Sequence, residues 1–207
     1  MSEERILKVA QRIFAQKGYK STTTQEIADK AKVNKAMIYY YFKNKEDLYI
    51  EVLKNFFKKI SSSFSDVSSM DLSPFEKFKA FLSEYIDIIS TNKEMPAFIL
   101  QCFISRNKKV LYTLKELILP TYRNALVIFE EGRTKGYFRD LDFKNLSMTA
   151  VGSVVFYFIA SPLFSVLWNE DPLSAKNIEK KKEGLIKLLQ NGLVITDRAY
   201  AAQEVGK

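Results

Sequence analysis

The residues best suited to chemistry in this chain lie between Thr22 and Leu48, in the run TTTQEIADKAKVNKAMIYYYFKNKEDL. Lysine ammonium groups and tyrosine hydroxyls crowd its second half, at Lys35, Tyr39, Tyr40, Tyr41 and Lys45. Donors of this kind bind phosphate oxygens and base edges. Three successive tyrosines sweep about 200° of a helix surface at ~100° per residue, so a short helix cannot bury them all. At least one must face solvent or a partner.

Other chemistries are poorly supplied. The chain contains no histidine, which removes histidine triads, histidine bases and histidine metal ligands. Its one cysteine, Cys102, sits in an apolar stretch. An intrachain disulfide is excluded, which suits a reducing cytoplasm, and a buried structural thiol is the expected role. Glycine-rich phosphate loops are absent. No catalytic residue, metal ligand or cofactor is therefore expected. The net charge is +8, and residues 1–60 hold 13 Lys/Arg against 7 Asp/Glu, so most of the excess lies at the N-terminal end. That location suits a polyanion partner, although a solvated lysine-rich surface has the same composition.

The elements that must position these donors are helices. Only 7 glycines and 5 prolines punctuate 207 residues, too few turns for a sandwich or barrel. Ile6, Val9, Ala10, Ile13 and Phe14 repeat at helical period over residues 3–17, and Gly18 ends that helix. Thr23 and Glu26 have the spacing of a capping box before a short helix carrying Ile27, Ala28 and Ala31 inward. Ala31-Lys32-Val33 forms a tight turn. Asn34 then caps a second short helix from Lys35 to Tyr41 or Phe42, with Val33, Ile38 and Phe42 inward. Asn44 caps a longer helix bearing Leu48, Val52 and Phe56, which fades into the serine cluster at 61–69. Further helices are expected at about 73–90, 95–105, 107–134, 144–167 and 175–195.

Two short helices joined by a tight turn suit a helix-turn-helix, whose second helix enters the major groove. On this reading Asn34, Lys35, Ala36, Met37, Tyr39, Tyr40 and Tyr41 face DNA or its margins. Thr24 and Gln25 join them from the first turn of the preceding helix. Lys45 and the amides beside it hold a phosphate.

The same segment resembles the N-terminal signature of the TetR/AcrR transcriptional regulators. The matching residues are Phe14 and Gly18-Tyr19, Thr23-Thr24, Ile27-Ala28, Ala31, Val33, Lys35, Ile38-Tyr39, Tyr41-Phe42 and Lys45-Glu46-Asp47-Leu48. The resemblance covers residues 5–50, about a quarter of the chain. Lys32 stands where the family usually has glycine, which places a side chain in the left-handed region at roughly 1 kcal/mol. Ala36-Met37 replaces a common Gly-Thr, losing a hydroxyl contact and offering Met37 to a thymine methyl. Tyr41 replaces a frequent histidine and keeps a donor.

The expected fold is all-α: a three-helix helix-turn-helix domain at 1–46 and a larger helical domain at 47–207. The resemblance implies that the second domain binds a small effector and dimerises through its last two long helices. Phe81, Tyr85, Phe98, Phe103, Tyr122 and Phe129 are the candidate lining of an effector pocket, and plain core explains the same aromatic stripe. Glu84 and Asp87 lie close to it, as partners for a cationic effector or as a solvated face. From Asn145 to Asn169 no residue is charged. A helix that is apolar all round either spans a membrane or is buried in a large core. Small residues at Ala150, Gly152, Ser153 and Ala160 favour close helix packing, and the reading taken is a homodimer interface without a membrane. The expected protein is a cytoplasmic, ligand-responsive repressor of a palindromic DNA operator. Its effector is a small hydrophobic or cationic molecule. The competing readings are an enzyme with a basic head and a membrane-anchored DNA-binding sensor.

Overall fold

In the computed structural model residues 2–195 are described, and among them the chain forms nine α-helices: α1 Ser2–Ser21, α2 Thr24–Ala31, α3 Lys35–Tyr41, α4 Lys45–Ser69, α5 Pro74–Thr91, α6 Met95–Ser105, α7 Lys108–Thr134, α8 Phe143–Trp168 and α9 Ala175–Leu193. The all-α expectation holds. The last twelve residues of the expected second domain, 196–207, lie outside the described part.

By packing, the chain divides into Met1–Ser61 with Thr91–Pro120, and Ser62–Ser90 with Thr121–Lys207. In the first unit α1 packs along α6 and meets α2 and α3. Its core is aromatic. Phe14, Tyr49 and Phe98 are all buried, with ring centroids 4.8 Å apart for Phe14–Tyr49 and 4.7 Å for Tyr49–Phe98, both edge-to-face. Such pairs add about 0.5–1.5 kcal/mol beyond area burial. The Tyr49 hydroxyl lies 3.1 Å from the Cys102 sulfur, and Cys102 is the buried structural thiol expected.

Gly18 breaks α1, with φ 74° and ψ 173°, a conformation open essentially to glycine alone. A Cβ there would also lie 3.0 Å from Gln101 Oε1. The buried Thr22 hydroxyl donates to the Gly18 carbonyl at 2.7 Å and fixes the turn that follows.

In the second unit Phe129, Phe138, Phe143 and Leu193 form a buried cluster, with Phe75, Phe78 and Tyr122 packed against it. Gly132 lets the Phe138 ring close over α7, since a Cβ would sit 2.2 Å from that ring. A single antiparallel bridge joins Phe138 to Val194.

The two units divide at the start of the serine cluster at 61–69, but the helix does not fade there. α4 runs through it to Ser69 because Phe64 and Val67 are buried. The Ser68 and Ser69 hydroxyls bond back to the carbonyls of Ser65 and Asp66, so they occupy the helix surface instead of competing with its ladder.

Candidate nucleic-acid interface

Local chemistry sets α2, the turn and α3. Thr23 caps α2 by accepting from Glu26 N–H at 3.1 Å, one half of the capping box. Lys32 closes α2 in the left-handed region at φ 53°, and its N–H bonds back to Asp29 O. That is the strained non-glycine turn expected of this position. Asn34 caps α3, its side-chain oxygen accepting from Ala36 N–H at 2.9 Å. Ile38 and Phe42 are buried and Val33 half-buried, which anchors one face of α3.

The opposite face is left open. Lys35 and Ala36 are exposed, Met37 and Tyr41 half-buried, Tyr39 is 50% exposed and Tyr40 79% exposed. The Tyr40 and Tyr41 rings meet edge-to-face at 5.0 Å, so Tyr41 props Tyr40 outward. Tyr39 reaches back, its hydroxyl 3.3 Å from the Thr24 hydroxyl, and this joins α3 to the start of α2. Gln25 is exposed and donates to Asp29 at 2.8 Å. Thr24, Gln25, Asn34, Lys35, Ala36, Met37, Tyr39, Tyr40 and Tyr41 therefore lie on or beside the two short helices.

Lys45 behaves differently from the others. Its ammonium donates to the carbonyls of Tyr19 and Thr22, at 2.8 Å each, and lies 4.3 Å over the Tyr19 ring. Burial holds its pKa below the usual lysine value. Two of its three N–H donors are thus engaged in holding the end of α1 to α4, and one remains. Sequence periodicity carried no sign of this, because the accepting carbonyls lie more than twenty residues away. Beside it, Glu26 takes Lys17 at 2.7 Å and Lys30 at 3.3 Å. The Lys17 bond is the main reason its carboxyl is held below the ordinary range.

The six aromatic candidates for the effector pocket have separate surroundings. Phe98 is fully enclosed in the first unit beside Phe14 and Tyr49, where it serves as core, and Phe103 on α6 is 50% exposed. Phe81 and Tyr85 stack on α5 at 6.3 Å, and Phe64 meets Phe81 at 4.3 Å. Burial raises the Tyr85 hydroxyl's pKa well above its ordinary value. Tyr122 and Phe129 both contact Phe143. Of the nearby acids, Glu84 is exposed, and Asp87 is held by Lys182 at 2.8 Å. Asp87 therefore already has its cation.

An all-α chain with two capped short helices at a tight turn, and an open donor-bearing face on the second, defines the class of helix-turn-helix proteins. The family model of bacterial regulatory proteins of the tetR family matches residues 6–52, the stretch that holds α2, the turn and α3. It is 33% identical over 92 residues to the uncharacterised regulator YuxN of Bacillus subtilis, covering 44% of this chain and only 32% of that one. It is 28% identical over 185 residues to the transcriptional repressor KstR2 of Mycolicibacterium smegmatis, covering 84% and 83%. The regulator FadR of Bacillus subtilis, solved in complex with stearoyl-CoA, shares the fold with a TM-score of 0.70 at 19% identity, over 91% of this chain and 98% of that one. These relatives are named as regulators of transcription.

Proposed function

We propose that this chain is a ligand-responsive repressor that binds a two-fold symmetric operator as a homodimer in the cytoplasm. A small, mostly apolar molecule releases it. DNA binding is assigned to 1–46, and effector binding and dimerisation to 47–207. The observation that carries the reading is the open face of α3, where Lys35 and Tyr40 project from a helix fixed at both ends by caps.

The dimer contact is assigned to α8 and α9. α8 is long and apolar enough to cross a membrane by length and composition. Its buried residues Ala150, Val154, Phe158 and Ser161 nevertheless form one stripe at helical spacing. The opposite side leaves Met148, Phe156, Leu163 and Val166 exposed, a face that a second copy can cover. Of the small residues that suit close helix packing, Gly152 is exposed, Ser153 and Ala160 are half-buried, and Ala150 belongs to the buried stripe.

For the effector, Phe81, Tyr85, Tyr122 and Phe129 remain the pocket candidates, and the stearoyl-CoA bound by FadR supports an apolar molecule. Release follows from linkage: an effector that favours a dimer geometry mismatched to successive major grooves lowers DNA affinity, and DNA lowers effector affinity by the same factor.

The test is to sequence genomic fragments retained by the purified protein and footprint them. The expected result is two half-sites about 34–36 Å apart, or a multiple of this, with affinity falling steeply as salt rises. A single asymmetric half-site would contradict the dimeric reading. If no compound that binds the chain alters operator affinity in either direction, the coupling does not exist.

A further inference from the structure

A half-open cavity lined by α1, α4, α6 and α7 within the first unit has no part in the roles above. Its volume is about 360 Å³, within the range of small-molecule sites, roughly 300–1,000 Å³. Gly18 and Gln101 meet on one side of it, so close that the missing Cβ of Gly18 is what makes room. Tyr19, Tyr49, Ile104 and Val110 supply ring and aliphatic surface, while the Ser105 hydroxyl and the Asn107 side-chain oxygen, both engaged in the turn between α6 and α7, lie at its edge. The lining thus suits a molecule with an apolar body and one polar end.

The charges around the cavity do not cancel. Lys17 is paired with Glu26 at 2.7 Å and Glu46 with Lys109 at 2.5 Å, so these four are neutral as pairs. Lys20 also lines the cavity and has no hydrogen-bond or ion-pair partner among the described residues. Lys45 does not line the cavity; its ammonium is held by the carbonyls of Tyr19 and Thr22. Asn107 and Val110, at the start of α7, are also lining residues, and there the Asn107 side-chain oxygen accepts from the Lys109 and Val110 amides, so the first amides of α7 are already satisfied. Lys20 is thus the unneutralised charge of the lining, and it favours a negative group. The polar end of an occupant is therefore an anion.

We infer that this cavity is a binding site for a small organic anion, a carboxylate or phosphate monoester carried on an aromatic or branched apolar body. Lys20 is its main charge contact, and the body rests against Tyr19, Tyr49, Ile104 and Val110. The occupant touches α1, α4, α6 and α7 at once, so binding raises the melting temperature of the chain by linkage. The inference does not depend on the operator or on dimerisation.

Benzoate and phenyl phosphate are the probes, with benzylamine and benzyl alcohol as cationic and neutral counterparts. Titration calorimetry and thermal melting of the full chain should show one saturable site per chain for each anion, with a rise in melting temperature, and neither for benzylamine. Lys20→Ala removes a charge-assisted contact from an exposed position and should weaken anion binding about tenfold. Gln101→Glu changes charge at nearly constant volume and should abolish anion binding; melting without ligand checks that this variant folds, and Lys20→Ala decides the matter if it does not. Benzylamine binding as tightly as benzoate, Lys20→Ala binding the anions unchanged, or no saturable binding of either anion at millimolar concentration would each overturn the assignment.

Discussion

α3 and α8 both leave large side chains in solvent, and the two exposures differ in kind. On α3 the exposed groups end in donors: the Tyr39 and Tyr40 hydroxyls and the Lys35 ammonium. On α8 they end in carbon, at Met148, Phe156, Leu163 and Val166, within a stretch that has no charged residue from Asn145 to Asn169. Water satisfies the first set at little cost. Each large side chain of the second set left in water forgoes about 1.5–3 kcal/mol of burial. Exposure with donors therefore suits a hydrated polyanion whose phosphates exchange for that water, whereas exposure without them suits a surface that removes the water altogether. The two faces thus suit partners of opposite kinds.

The sharpest way to break this comparison is to put a charge on α8. Phe156 is 60% exposed in the single chain, so Phe156→Asp should leave the protomer folded and helical. In a dimer the new carboxylate would be buried without a partner, at a cost of about 3–5 kcal/mol. Sedimentation at micromolar concentration should show dimer for the unmodified chain and monomer for the variant. A monomer in both would mean that the exposed carbon of α8 serves something else. Val154→Asp, at a fully buried position of the same helix, should instead unfold the protomer.

On α3 the corresponding changes are Tyr40→Ala and Lys35→Ala. Each should cost about 1–3 kcal/mol of operator affinity and alter the ranking of operator variants, as loss of a base-edge contact does. Lys45→Ala should weaken all sequences by a similar factor and also lower thermal stability, because its ammonium holds the end of α1. Competition binding on a set of mutated operators separates these patterns. Uniform weakening by Tyr40→Ala would confine that residue to the backbone.

The difference between the two helices also explains what the sequence could reveal. The turn around α3 is built from neighbours: Thr23 on Glu26, Asn34 on Ala36, Lys32 in the left-handed region, Ile38 and Phe42 one helical turn apart. The caps and the inward pair are rules of local spacing and were legible; the left-handed Lys32 was implied by the resemblance, which has glycine there. The inward face of Phe98 was legible too, but not its neighbours. Periodicity says that a side chain points inward, and says nothing about whether Phe14 and Tyr49 or an effector await it. The second role of Lys45 was not legible for the same reason, since its acceptors are the carbonyls of Tyr19 and Thr22, at and just past the end of α1. The serines of α4 suggested a fading helix because composition registers their hydroxyls, whereas Phe64 and Val67 between them decide the outcome by burial. The cavity beside Lys20 could not be anticipated, as it needs four helices to be placed first.

A smaller effect tests whether α3 is held by its cap. The Asn34 side chain satisfies one amide at the start of a seven-residue helix, and Asn34→Ala should remove about 1 kcal/mol of stability. Asn34→Asp keeps the acceptor and should restore most of it. Urea denaturation of the three proteins is the measurement. Loss of operator affinity by the alanine variant beyond its loss of stability would show that Asn34 also touches DNA.

The smallest effect concerns the turn itself, where two terms of opposite sign nearly meet. Lys32 occupies φ 53°, ψ 48°, and an L-residue there gives up roughly 1–2 kcal/mol relative to the right-handed region. Lys32→Gly removes that strain. Glycine also widens the choices of the unfolded chain, which costs about 0.5–1 kcal/mol on folding. The side chain is exposed and has no ion pair among the described residues, so little packing is lost with it. The net expectation is a gain between zero and about 1 kcal/mol, read as a small rise in the denaturation midpoint with unchanged slope. Operator affinity brings in a further term, because the substitution removes one positive charge near the start of α3. If the lysine serves only the turn, the variant binds DNA as tightly as before with the same salt dependence. If it reaches a phosphate, affinity falls and the salt slope drops by about one unit. A clear loss of stability in Lys32→Gly would mean that the left-handed lysine is supported by contacts of its own, and the account of this turn as a tolerated strain would be wrong.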